Sequence, residues 1–143
     1  MTRAFTREHI DALEPPTSGA PMPYEFYKIL HIVGLVAIWA ALGGATLHAM
    51  NGGTRESNPA RKLVAATHGI GLFLMLLGGF GMLARLGLTS GFPGWVIGKI
   101  VLWLVVGGLL AVPLRVPSLA KPLWFAMPLF AGLGAWMALT KPF

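Results

Sequence analysis

No carboxylate side chain occurs after Glu56. The five acids of this 143-residue chain are Glu8, Asp11, Glu14, Glu25 and Glu56, so everything from Ser57 to Phe143 must fold without one. A water-exposed surface cannot be built from such a stretch, because soluble domains carry about 25% charged residues. The same region and the segment before it contain four apolar runs, near 24–50, 60–86, 94–114 and 121–140. Each offers about 20 residues or more, and at about 1.5 Å per helical residue each spans a hydrocarbon core about 30 Å thick. The solvent that fits is lipid.

Composition agrees: 55% of residues are hydrophobic and only 11% charged. The net charge of +6 would suggest nucleic acid in a soluble chain. Here the eleven Lys and Arg mostly stand at the ends of apolar runs, where cations mark a membrane boundary, so no nucleic-acid partner is expected. The absence of cysteine excludes disulfides, iron–sulfur clusters and thiolate metal sites.

The expected fold is an all-α integral membrane protein, an antiparallel bundle of four transmembrane helices over residues 24–143. An extended, polar, proline-rich tail, residues 1–23, precedes it. The tail lacks the apolar core of a cleavable signal, so the first helix reads as a retained anchor. Within it Thr6 is placed to cap a short helix through Leu13, with Phe5, Ile10 and Leu13 as a weak apolar face, before the irregular spacer from Pro15 to Pro21. The breaks between spans are Asn51-Gly-Gly, Asn58-Pro59, Ser90-Gly-Phe-Pro93 and Pro113 to Pro117, and Pro128 is expected to kink the fourth helix. Short connections put both termini on one side. The opposite loops carry Arg55, Arg61, Lys62, Arg115 and Lys121 against Glu56 alone, so the positive-inside rule predicts termini outside the cytoplasm, in the periplasm of a bacterial inner membrane.

Polar groups recur on helix seams. Helix 1 carries Tyr24, Tyr27, His31, Gly34, Ile38, Ala41, Ala45 and His48 at three-four spacing; helix 2 carries His68, Gly71, Met75, Gly78, Met82 and Arg85. Helix 3 offers Trp95, Lys99, Leu102, Val106 and Leu109, and the nineteen glycines of the chain favour close helix contact. By helical rise, His31 and Lys99 lie about 12 and 9 Å in from the same side, close enough to meet if helices 1 and 3 are neighbours. His48 lies about 3 Å from the other end of helix 1 and His68 about 14 Å in from that side, which argues against a shared haem iron. His31 and His68 are therefore the candidate cofactor ligands, with a structural hydrogen bond as the alternative for each. His48 reads as an interfacial group, Lys28 as a snorkelling cation, and Lys99 as either a snorkelling or a functional cation. The five tryptophans read as packing and interface anchors.

Catalytic patterns are missing: no metalloprotease His-Glu pair, no Ser-His-Asp set, and no acid within a span except Glu25 at its margin. Ion-coupled transporters ordinarily need intramembrane carboxylates or an equivalent relay.

Lys28-Ile-Leu-His31 opening helix 1, His68 entering a glycine-rich helix 2, and Trp95-x-x-x-Lys99 entering helix 3 resemble a group of small bacterial membrane proteins. The group comprises the copper-resistance D-type membrane domain, the SirB-type proteins and the HemJ-type protoporphyrinogen oxidases, and the likeness covers roughly residues 24–112. It implies a bundle of four or five helices, and the HemJ-type members imply His31 as a haem b ligand with Lys99 nearby. The polar tail and His48 are not part of that pattern.

These readings lead to one expectation and two alternatives. The expectation is a small non-catalytic subunit of a larger bacterial membrane complex for respiratory or photosynthetic electron transfer, its partners being the bilayer and other membrane subunits. Such a partner would order the tail, which cannot bury enough apolar surface alone. The first alternative is a haem-b-binding oxidoreductase with His31, His68 and Lys99 at its site; the second is a copper-handling membrane protein, with Met75 and Met82 beside His68.

Overall fold

The computed structural model describes residues 22–142. The expected tail helix and its apolar trio lie outside the described residues. Helix α1 runs Tyr24–Met50, α2 Arg61–Arg85, α3 Gly94–Leu109, α4 Ala111–Arg115 and α5 Ala120–Thr140, with a 3-10 turn at Pro117–Leu119 before α5. No strand occurs among the described residues. Four helical stretches, Tyr24–Met50, Arg61–Arg85, Gly94–Arg115 and Pro117–Thr140, are long and apolar enough to cross a membrane.

The interruptions have local causes. Proline lacks an N–H, so Pro113 cannot bond the Leu109 carbonyl one turn back, and the helix breaks between α3 and α4. Pro128 removes the same bond inside α5, which nevertheless continues to Thr140. Between α1 and α2 the chain turns through Gly52 at φ 78°, and Asn58, buried in the turn, accepts the Ala60 N–H on its side-chain oxygen at 2.9 Å. His48 closes this loop with its Nε2 2.9 Å from the Thr54 carbonyl. In the same loop Glu56 has its carboxyl held below the usual range by hydrogen bonds from its own backbone N–H and from Thr54, with Arg55 and Arg61 adding to the effect.

Among the described residues the pairing of α1 with α2 is the most extensive, and it rests on glycine. A Cβ on Gly34 would come within 2.6 Å of the Gly71 carbonyl, and one on Gly71 within 2.8 Å of the Gly34 carbonyl. One on Gly78 would meet the Tyr27 carbonyl at 2.5 Å, and one on Gly81 would enter the Tyr27 ring. As the α2 number rises from 71 to 81 the facing α1 number falls from 34 to 27, so the two helices pass in opposite senses. Such close approach allows Cα–H groups to face carbonyls across the seam, a contact worth about 0.5–1 kcal/mol each.

α1 buries more than the single seam its three-four stripe describes. Gly34, Ile38, Ala41 and Ala45 are buried as that stripe requires, but so are Leu42, Thr46 and Ala49 on an adjacent stripe. The second stripe faces α4 and α5, which also pack on α1. Thr46 is tolerated there because its hydroxyl donates to the Leu42 carbonyl at 2.6 Å. Ile38, Leu42, Val106, Leu123 and Met127 form the close-packed core. Outward faces stay apolar, with Leu139 85% and Leu129 73% exposed.

Candidate functional site

The core fills only half the length of the bundle. In the other half, where α1 and α3 begin and α2 and α5 end, the helices separate around a cavity of about 500 Å³. Its walls come from α1 between Tyr24 and Trp39, the second half of α2, α3 from Trp95 to Val106 and the last half of α5. Trp39, Leu102, Trp103 and Val106 line its deep end, next to the core. Trp103 is held by donating its indole N–H to the Leu72 carbonyl on α2 at 3.1 Å.

His31 and Lys99 both line this cavity, together with Lys28, Tyr24, Trp95 and Lys141. His31 Nδ1 lies 2.7 Å from the Met75 carbonyl. A carbonyl only accepts, so Nδ1 carries the proton and Nε2 of the neutral ring keeps its lone pair. A ring held by its Nδ1–H on a backbone carbonyl is the arrangement in which histidine serves as a metal ligand through Nε2.

His68 is placed differently. It is only 4% exposed, does not line the cavity, and has its Nε2 3.2 Å from the Gly107 carbonyl on α3. The same reasoning puts the proton on Nε2, leaving Nδ1 as a buried acceptor without a protein partner. The structure thus brings His31 and Lys99 to one cavity and leaves His68 in the α2–α3 contact.

No family model, no curated protein and no solved structure matches this chain.

None of the cavity's lining residues is Asp or Glu. Among the described residues no group of three His, Asp or Glu side chains converges where a metal ion could be held. Lys99 Nζ lies 5.5 Å from the centre of the Trp95 indole, one helical turn back on its own helix, and Lys141 Nζ approaches the same ring from α5 at 6.0 Å. Lys141 is not among the candidate site residues expected from the sequence. Residue spacing carries no signal for its position here, because Lys141 follows the last turn of α5 in a left-handed conformation at φ 47°. The tryptophans divide: Trp39, Trp95 and Trp103 line the cavity, while Trp124 and Trp136 are exposed on the outer face.

Proposed function

We propose that this chain is a small, non-catalytic membrane subunit whose four spans form an antiparallel bundle and whose cavity holds one largely apolar molecule for a larger assembly. The observation that carries this reading is the cavity itself. It is of ligand size, it lies between four helices each able to cross a bilayer, and it has no carboxylate on its walls. No carboxylate pair for acid–base catalysis is present among its lining residues, whereas aromatic and aliphatic side chains are plentiful. Bacterial electron-transfer complexes, which carry apolar cofactors in the membrane, are the assemblies such a subunit suits.

The test is purification of the full-length protein in mild detergent from its native membranes. The expected result is co-elution with larger membrane proteins and release of a stoichiometric small molecule on denaturation. A stable monomer with an empty extract would end this reading.

A second reading, haem b in the cavity, is favoured by the His31 tautomer. Bound there, haem would supply one-electron chemistry at its iron. His31 would hold the group through Nε2, with the Met75 carbonyl fixing the ring, and Lys28, Lys99 and Lys141 would supply positive charge for its acid groups. His68 does not fit as the second ligand, since it is buried in the α2–α3 contact and does not line the cavity.

The same proposal places both termini outside the cytoplasm of a bacterial inner membrane. Ser57→Cys and Ser118→Cys lie in the two cation-rich connections, and a membrane-impermeant maleimide applied to intact spheroplasts should leave both unlabelled. Ready labelling at both positions inverts the topology.

A further inference from the structure

We infer that the mouth of this cavity is an anion site, in which Lys28, Lys99 and Lys141 hold the carboxylate of an amphiphile whose apolar body fills the space below. The inference rests on the reading that the cavity binds a ligand, and adds the chemical class of that ligand.

Three helices each bring one ammonium group to the same cavity: Lys28 from α1, Lys99 from α3 and Lys141 from the end of α5. Cations at a membrane boundary ordinarily spread outward to separate head groups. Here the Lys99 and Lys141 ammonium groups share one indole instead, both lying within 6.0 Å of the centre of Trp95. The Trp95 ring attracts both through its π face but carries no charge to cancel theirs. No acid lines the cavity, and the carboxylates among the described residues are Glu25 and Glu56 alone. An anion seated among these cations is attracted by each of them, and no acid on the cavity walls competes for them.

Lys141 makes the arrangement specific. It ends α5 in the left-handed region at φ 47°, a position where helices ordinarily use glycine or asparagine. Either of those would end the helix without bringing a third cation to Trp95. The remaining geometry selects the ligand's shape. Lys28 lies one helical turn outside His31, and the walls below are dominated by Met75, Leu102, Trp103 and Phe130. A volume of about 500 Å³ takes one drug-sized body, which suits a single acyl chain or ring system better than a two-chain phospholipid. A carboxylate head on one apolar body satisfies both ends of the cavity.

The experiment uses the full-length protein in nonionic detergent, with cis-parinaric acid and its methyl ester as probes. Energy transfer from the protein's tryptophans, three of which line the cavity, reports binding. The acid should bind at least ten-fold more tightly than the ester. Lys99→Gln and Lys141→Gln should each weaken the acid three- to ten-fold while leaving ester binding as it was, which also shows the cavity intact. If a variant loses both probes, the acid-to-ester ratio of the unaltered protein decides. Equal binding of acid and ester overturns the anion site but leaves the ligand-binding reading standing. Binding of neither probe overturns both. Displacement of the acid by equimolar dioleoyl phosphatidic acid overturns the choice of a single-bodied carboxylate.

Discussion

Gly78→Val should break the α1–α2 pair and cost about 3 kcal/mol or more, the upper range for overpacking a close contact. The reason is what the new Cβ would strike. At Gly78 the obstacles are the Tyr27 carbonyl at 2.5 Å and the His31 backbone nitrogen at 2.6 Å, not the movable end of a side chain. One helix must therefore shift bodily, and the reciprocal Gly34–Gly71 contact next to it shifts as well. That displacement also moves His31, so loss of stability and loss of any ligand should come together. Gly44 and Gly69 provide the contrast, since a Cβ at either meets nothing within 4 Å. Gly44→Ala and Gly69→Ala should stabilise the helices by about 0.5–1 kcal/mol through backbone entropy. Equilibrium unfolding in mixed detergent micelles, followed by circular dichroism, measures all three. Equal effects at Gly78 and Gly44 would mean that the close seam does not hold the bundle together.

His31→Ala should remove a haem spectrum that His68→Ala leaves in place. The two histidines lie at similar depth in their helices and are indistinguishable by residue type, but their hydrogen bonds assign opposite tautomers. His31 gives its Nδ1 proton to Met75 and keeps Nε2 for a ligand in the cavity. His68 gives its Nε2 proton to Gly107 and keeps only a buried Nδ1. His31→Ala should thus lower the Soret absorbance per protein at least ten-fold while the helical circular dichroism of the folded bundle is retained. His68→Ala should keep the band and lose about 1–3 kcal/mol of stability, because it leaves an unpartnered carbonyl and a small void between α2 and α3. The reverse pattern, with the band lost only in His68→Ala, would move the site to the α2–α3 contact. A wild-type protein that is colourless when made in haem-replete cells would end the haem reading, and the amphiphile site would then stand alone.

Some of this architecture is determined by short stretches of sequence. Whether a run of about 20 residues can cross an apolar layer depends on that run alone, which is why spans expected near 24–50, 60–86 and 94–114 correspond within about a residue to Tyr24–Met50, Arg61–Arg85 and Gly94–Arg115. Breaks at Pro113 and Asn58 follow equally from one missing N–H and one side-chain acceptor. The small-residue seam was also legible, because a three-four repeat of Gly34, Gly71 and Gly78 specifies a face wherever its partner stands. The repeat could not say which helix that partner would be, nor that α1 would need a second buried stripe for α4 and α5. For the same reason His31, His68 and Lys99 could be named as candidates from seam and depth but not sorted. Helical periodicity orients a residue about its own axis; the rotation and axial offset of each neighbour, which short loops leave open, come from packing. Tertiary structure alone decided that His31 and Lys99 share a cavity while His68 bonds Gly107. It alone brought Lys141 onto Trp95, since a left-handed residue beyond the last turn of a helix belongs to no repeat, and its side-chain direction is set by the helix it lands against.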